Sequence, residues 1–329
     1  MFNKSYSLAL LLSIKIKNLT NLSESLGITD DQIKRELKKD PIEIKDILQL
    51  SKNVFKGKDV KVLADDVLLK KEYAKIIEGT QKHFSSSKHI RINSLCIVVI
   101  ALSDGITTIP VSFKLWMSHG SYKRTILLQQ LILELKEHIK IDMILADGLY
   151  ATKDMITWLI QQKFKFEMRF HSNRVVFRKG IKSQIKELKN LKPKGKRSVK
   201  TLNVIWYDLK LFVTAVKFFN KDGSIYFRYQ ISNYRAFARQ HAAAYKQRWN
   251  IEKFFRTSKQ HLGLQDSTMR KFSDQNLHIQ HVFLAYTILQ LFMSLKRVFH
   301  NPEAVIKYIR SKNQQWLSNQ LIALNQIFA

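Results

Sequence analysis

The amino-acid sequence predicts an α/β protein, with a small helical region before the α/β part and further helices after it. Its 329 residues suffice for a sizeable hydrophobic core. From about residue 58, apolar runs of strand length alternate with stretches of helical periodicity, which is typical of α/β folds. Before that point, and after residue 233, the apolar residues recur at helical spacing.

The helical region covers residues 1–57, and residues 21–39 within it have the pattern of a helix-turn-helix. Gly27 supplies the turn, and Thr29 with Gln32 forms a capping box for the second helix. This pattern predicts DNA recognition by the second helix. An ordinary helical hairpin is the alternative, because the two aspartates that open this helix would face phosphates unfavourably.

The α/β part, residues 58–329, begins with apolar segments that predict strands. The predicted elements are, in chain order, the strands VKVLAD, SLCIVVIAL and TTIPVSFKLW, the helix YKRTILLQQLILELKEHI, the strand IDMILAD, a helix over residues 152–162 and the strand FKFEMRF. Residues 174–232 differ, since a lysine-rich loop lies there between segments that predict strands. This loop is either a solvated run of charge or a surface that follows phosphates.

The charge of the chain indicates a polyanionic partner. Lys and Arg total 56 against 26 Asp and Glu, a formal net charge of +30. Nucleic acid is favoured over an anionic membrane, because the run SLALLLSI is too short to span a bilayer and polar residues interrupt HVFLAYTILQLFMSL. No signal-peptide cleavage site follows the first run. A single cysteine, Cys96, excludes an internal disulfide framework and a cysteine-based zinc site, and it fits a reducing compartment.

Three acids form the candidate catalytic set. Asp65 and Asp147 each end an apolar segment, in VLAD and ILAD, and acids just beyond buried strands lie where α/β sheets carry their chemistry. Glu252 lies on a basic helix, within YKQRWNIEKFFRTSK. Three such carboxylates can hold two Mg²⁺ ions, which take oxygen ligands and assist phosphodiester chemistry.

The predicted helix around Glu252 presents further polar residues. Those that fall within an arc of roughly 60° on one helix face are Tyr245, Arg248, Glu252 and Lys259. Arg256 lies beside them. The alternative is an ordinary surface helix, in which the two arginines pair with Glu252 at a spacing of four residues.

This segment resembles the bacterial DDE transposases of insertion-sequence family four, whose signature Tyr-x2-Arg-x3-Glu-x6-Lys it matches at all four positions. The resemblance covers about residues 58–295. It implies a ribonuclease-H-like catalytic core with a β-rich insertion, and residues 174–232 lie where that insertion belongs. The implied catalytic and metal-binding residues, for two Mg²⁺ ions or Mn²⁺ in their place, are Asp65, Asp147 and Glu252. The implied DNA-binding residues are Tyr245, Arg248, Arg256 and Lys259.

Two positions depart from the family pattern. Val67 replaces the hydroxyl residue expected two positions after the first acid, which leaves Asp66 as a rival to Asp65. Gly148 and Leu149 replace the usual polar-glycine pair after the second acid. In the insertion, Trp206 is a candidate for stacking on a flipped base, although core packing is the favoured interpretation.

The resemblance implies a cut-and-paste transposase of an insertion sequence, which acts in the bacterial cytoplasm on the nucleoid. Its expected partner is double-stranded DNA, both the element ends and the target, bound by a dimer. A hairpin on the cut end is expected from the resemblance alone. Two alternatives stay open: a nuclease on the same core that cuts without joining, and an inactive DNA-binding protein descended from a transposase.

Overall fold

The structure is a computed structural model that describes residues 2–39, 41–72, 76–85, 89–117, 122–295, 301–312 and 319. Its helices are α1 (Phe2–Leu12), α2 (Leu19–Leu26), α3 (Asp30–Lys39), α4 (Ile44–Phe55), α5 (Arg124–Lys136), α6 (Lys153–Gln161), α7 (Ala238–Lys246), α8 (Trp249–His261), α9 (Phe272–Leu295) and α10 (Pro302–Arg310). Its strands are β1 (Lys61–Lys70), β2 (Gln81–Ser85), β3 (Ile90–Ser103), β4 (Thr108–Trp116), β5 (Met143–Ala146), β6 (Lys165–Phe170), β7 (Val175–Arg178), β8 (Ile181–Gln184), β9 (Val199–Trp206), β10 (Leu209–Phe219) and β11 (Ile225–Ser232).

In the part of the chain that the structure describes, eleven strands form one mixed sheet. β1 lies inside it, antiparallel to β3 on one side and parallel to β5 on the other. β2 and β4 pair with different parts of the long strand β3, and β6 continues the sheet beyond β5 in parallel. The predicted α/β class is therefore confirmed, in the form of a large mixed sheet.

The predicted β-rich insertion extends this sheet. β11 pairs with β6 in antiparallel fashion, and β10, β9, β7 and β8 follow in that order. Along β9 the side chains alternate, since Val204 and Trp206 are buried while Asn203 and Ile205 are exposed. Trp206 is only 3% exposed and lies edge-on against Phe170. The interpretation of Trp206 as a core residue is therefore confirmed.

Two strands differ from their predicted bounds. β1 continues past Asp65 to Lys70, because β3 pairs with its whole length. The prediction that this strand ends at Asp65 is therefore wrong. β3 begins at Ile90, before its predicted start, because its first residues pair with β2, a strand that the sequence pattern did not indicate.

The predicted pair of N-terminal helices is present as α2 and α3. Gly27 ends α2 with φ 67°, a left-handed conformation that favours glycine. Thr29 and Gln32 then exchange hydrogen bonds of 3.2 and 2.8 Å, which cap α3. The buried side chains of Ile33 and Leu37 fix α3 on the core.

The N-terminal helices share a hydrophobic core with the C-terminal helices. Tyr6 in α1 makes a hydrogen bond of 2.9 Å to His278 in α9, and Lys38 in α3 pairs with Asp274 at 2.9 Å. The apolar helix α9 is largely buried, and it packs on α1, α4 and β4. Among the described helices, none combines the length and the apolar character needed to cross a membrane.

Candidate active site

The first two candidate acids are neighbours at the end of strand β5. The parallel pairing of β1 with β5 ends at Ala64 and Ala146, so Asp65 and Asp147 are the next residues on adjacent strands. Adjacent strands lie about 4.8 Å apart. β1 continues with β3 as its partner, whereas β5 ends there. The two acids therefore meet at the carboxyl end of a parallel strand, where α/β sheets carry their chemistry.

Arg248 joins the first acid to the third. Its Nη1 donates a hydrogen bond of 2.8 Å to Asp65 Oδ2, and its Nη2 donates to Glu252 Oε1. Arg248 lies just before α8 and is only 8% exposed, and Glu252 follows one turn later. The arginine–glutamate pair at a spacing of four residues is therefore present, but its arginine is buried and also binds the sheet, while Glu252 is half-buried.

Burial and neighbouring charges shift the pKa values of this cluster. Burial raises the pKa of Asp65 to about 7; the Arg248 guanidinium opposes this rise, while the charges of Asp66 and Asp147 add to it. Burial by itself would lower the pKa of Arg248, but Tyr245 and the surrounding carboxylates raise it instead. Arg248 thus supplies the positive charge of a site that holds several acids.

The second acid, Asp147, has a carboxylate that accepts no hydrogen bond from another described residue. The next residue, Gly148, is closely surrounded. A Cβ atom at this position would lie 2.9 Å from His171 Nε2 and 3.3 Å from the Arg169 carbonyl oxygen. This close approach accounts for glycine at position 148, where the sequence departs from the family pattern. Tyr150 is fully buried, and its hydroxyl has no hydrogen-bond partner among the described residues.

Asp66 points to the opposite face of β1, as successive residues of a strand do. Its Oδ2 accepts a hydrogen bond of 2.8 Å from Arg124 Nη1. That guanidinium lies 3.9 Å from the centre of the Trp116 ring. Burial raises the pKa of Asp66, and Arg124 opposes this rise. The structure thus brings Asp65, rather than Asp66, into contact with the arginine that binds Glu252.

The predicted single helix from Tyr245 to Lys259 is in fact two helices, so the prediction of one continuous helix face is wrong. α7 ends at Lys246 and α8 begins at Trp249, and at the junction the backbone hydrogen bonds span three residues, as in a 3₁₀ turn. Tyr245 still lies beside the site, with its ring centre 5.6 Å from the Arg248 guanidinium. Its hydroxyl is buried near Arg248, and burial raises the pKa of Tyr245 to about 12.

The other two predicted DNA-binding residues have different surroundings. Lys259 Nζ donates a hydrogen bond of 2.9 Å to the carbonyl of Leu68 in β1, in the part of β1 that has passed the end of β5. Burial lowers the pKa of Lys259 to about 8, and the nearby charge of Lys70 contributes. Arg256 is exposed. Lys259 therefore supports the strand that carries Asp65, while Arg256 is open to solvent.

Among the described residues, no three side chains of His, Cys, Asp or Glu lie close enough together to hold a metal ion. The donor set nevertheless fits a hard divalent cation. Asp65 and Glu252 already share one cationic group through Arg248, and the Asp147 carboxylate is next to Asp65 in the strand register. Carboxylate oxygens are the ligands that Mg²⁺ prefers.

A comparison with protein families gives a match over most of the chain. Residues 58–288 match the family described as Transposase DDE domain. This match covers well over half of the chain, which therefore belongs to the transposase DDE domain family.

One solved structure, a cryo-EM structure of the piggyBac transposase synaptic complex with hairpin DNA, resembles the chain with a TM-score of 0.53. The alignment covers 98% of this chain and 75% of that chain at 11% sequence identity, so the likeness is one of fold. No curated protein sequence matches the chain.

Proposed function

We propose that the protein is a DNA transposase of an insertion sequence, which cuts the ends of its element and joins them to target DNA. Its membership of the transposase DDE domain family supports the general activity. The observation that carries the proposal is the contact of one buried arginine with Asp65 and Glu252, beside Asp147. The arrangement around β1, antiparallel on one side and parallel on the other, supports the ribonuclease-H-like core that we propose for residues 58–329.

In this proposal Asp65, Asp147 and Glu252 would hold two Mg²⁺ ions, or Mn²⁺ in their place. When bound, such ions activate the attacking oxygen and stabilise the leaving one. Arg248 would then be free to grip a phosphate through two parallel hydrogen bonds. The further residues that we propose to hold the DNA end are Tyr245, Arg256 and Lys259.

The proposed reaction takes place on double-stranded DNA bound by a dimer, in the bacterial cytoplasm. Water first cuts one strand at the element end and leaves a 3′-hydroxyl. That hydroxyl then attacks the opposite strand to give a hairpin, which is reopened before the end joins target DNA. The solved piggyBac complex contains hairpin DNA, and we propose the same kind of intermediate for this chain.

Incubation of the protein with a duplex that contains the element end and its flank, in Mg²⁺ or Mn²⁺, tests this proposal. We expect nicks at the boundary with the wild-type chain and none with Asp147→Asn or Glu252→Gln, although both variants should still bind the duplex. A pre-cut end then separates transposase from nuclease, because only a transposase joins it to a second duplex. Binding by the wild-type chain without any cleavage would instead identify an inactive DNA-binding descendant.

A further inference from the structure

A cavity of about 730 Å³ opens on the β-rich insertion, away from the three acids. Its lining comes from β7, β9, β10 and the loop before α7, and its cationic members are Arg178, Lys179, Lys210 and Arg235. The described lining residues include no Asp or Glu. None of these four cations is ion-paired with another described residue. The cavity is therefore a concave surface with uncompensated positive charge.

The floor of this cavity is apolar. Phe177 in β7 lies opposite Ile205 in β9, which in turn lies opposite Lys210 in β10. The side chains of Phe177 and Ile205 are 43% and 42% exposed. Cations beside exposed apolar side chains suit a nucleic acid, since the cations meet phosphates while the apolar groups meet sugars and bases.

The cavity lies on the face of the sheet to which Asp65 points. Paired residues on adjacent strands share a face, as do residues two apart on one strand. The pairings that connect the two places are Leu63–Leu145, Leu145–Glu167, Glu167–Ser232, Ser232–Phe212 and Phe212–Asn203. Asp65 is two residues beyond Leu63, and Ile205 is two residues beyond Asn203. Helix α7 covers the positions between them, because its buried His241 contacts Glu167, Ser232 and Phe212. A ligand on this face therefore reaches both places over the outer side of α7, where Arg239 and Lys246 are exposed.

The distance between the cavity and the acids suits one DNA duplex. β10, β9 and β7 are the third to fifth strands beyond β5, which places the cavity roughly 15–25 Å from Asp147. The chain from Ala236 at the cavity, through α7, to Arg248 at the site gives a similar span of about 18 Å at helical rise. These distances correspond to about 4–7 base pairs along one DNA strand.

We propose that this cavity is a second DNA-binding surface, which holds the backbone of the same duplex about 4–7 base pairs from the reacting phosphate. The proposal rests on the proposed function for the identity of that phosphate, but binding in the cavity does not require cleavage. The composition of residues 174–232 agrees with it, with fifteen Lys and Arg against three Asp and Glu. The cations of the cavity differ from those of the lysine-rich loop that the sequence first indicated.

Salt-dependent binding of a 30-base-pair DNA duplex to the full chain, without metal, tests the cavity. Each phosphate contact that is lost lowers the slope of log K against log salt by about 0.9. The triple variant Arg178→Gln, Lys179→Gln, Lys210→Gln should therefore lower the slope by up to about 2.7. A matched control removes the same charge outside both the cavity and the lysine-rich loop, at the exposed Lys56, Lys140 and Lys221, and should lower the slope by less than about 1.

An unchanged slope in the cavity variant, or an equal loss in the control variant, would overturn the proposal. So would a loss confined to a single-stranded 30-mer, because the occupant would then not be a duplex. If Arg178→Gln prevents folding, the double variant of the exposed Lys179 and Lys210 gives the same test at up to about 1.8 in slope. The measurement involves neither metal nor cleavage. An unchanged salt slope would therefore overturn the cavity proposal without contradicting the proposed reaction. Conversely, a chain that does not cleave DNA can still show the loss of slope.

Discussion

The two faces of strand β1 carry neighbouring acids in different surroundings. On one face, Asp65 shares the Arg248 guanidinium with Glu252, so two carboxylates from distant parts of the chain bind one positive charge. On the other face, Asp66 pairs with Arg124, whose guanidinium lies over Trp116. On the first face two carboxylates therefore share one guanidinium, while on the second face Asp66 has a guanidinium of its own, although the charge of Asp147 acts on both aspartates.

Under the proposed function, this difference would separate a site that exchanges its cation from a pair that stabilises the fold. On the Asp65 face, displacement of one arginine leaves two carboxylates beside Asp147, which suits a divalent cation. On the Asp66 face, the aromatic ring and the carboxylate both favour a fixed guanidinium. We therefore propose a catalytic role for Asp65 and a structural role for Asp66, although the two residues are adjacent on one strand.

The largest effect is expected from Asp65→Asn, with Asp66→Asn as its matched control. Asp65→Asn should lower cleavage by about a thousandfold or more, because metal assistance contributes several kcal/mol to the rate. Asp66→Asn should stay within about tenfold of the wild type per folded molecule and lower stability by about 1–3 kcal/mol. Gel assays on a labelled element end, with melting curves, measure both. The reverse pattern would assign catalysis to Asp66.

Arg248→Lys should have the next largest effect. A lysine cannot bridge Asp65 and Glu252 or grip a phosphate through two parallel bonds, so end processing should fall by about 10–100-fold. Because this arginine is buried between two carboxylates, a stability loss of about 1–3 kcal/mol is expected as well.

Arg124→Lys is the control for Arg248→Lys, since it changes the pair of Asp66 with Arg124 on the other face of β1. It should lower the melting temperature and leave cleavage per folded molecule within about threefold of the wild type. Equal losses of cleavage in the two variants would mean that both arginines act only through the fold. Unchanged melting and unchanged cleavage in Arg248→Lys would remove the bridging contact from the proposal.

In the metal-free chain, the buried carboxyl group of Asp65 should make stability depend on pH. Burial raises the folded-state pKa of Asp65 to about 7, whereas an unfolded aspartate has a pKa of about 3.9. Between about pH 4 and pH 7 the folded chain holds the additional proton, so its free energy of unfolding falls as pH rises. Asp65→Asn should remove roughly 2–4 kcal/mol of this fall.

Denaturant titrations of the wild type and of Asp65→Asn, at about pH 5 and about pH 8, measure this contribution. Between these two pH values, the free energy of unfolding should fall further for the wild type than for Asp65→Asn. Parallel pH profiles would show that the proton is taken up by another group.

Lys259→Ala should have a smaller effect than Asp65→Asn, Arg248→Lys or the change of pH. It should lower stability by about 1 kcal/mol, because the Leu68 carbonyl loses its partner. If Lys259 also holds a phosphate, the salt slope of DNA binding should fall by about 0.9. Lys253→Ala, on an exposed position of the same helix, is the control and should leave stability unchanged. A stability loss with an unchanged slope would restrict Lys259 to supporting β1.

The sequence alone was sufficient for those features that depend on neighbouring residues. Apolar runs predicted most strands of the core and the β-rich insertion, and the capping residues Thr29 and Gln32 predicted the second helix of the N-terminal pair. The spacing of charges around Glu252 indicated its contact with Arg248 only as the alternative interpretation, and that contact is present. Each of these features is set by local periodicity or by hydrogen bonds within a few residues, and such signals are visible in the order of the amino acids.

The tertiary structure decided which acid meets which base. Sequence order left Asp65 and Asp66 as rivals. The two side chains point to opposite faces of β1, and only the position of α8 determines which face meets Arg248. Sequence order also could not show that Arg248 turns inward, since its partner Asp65 is 183 residues away. The pair Asp66–Arg124 had no sequence signal for the same reason. Contacts between distant segments depend on strand register and helix packing, which are properties of the whole sheet.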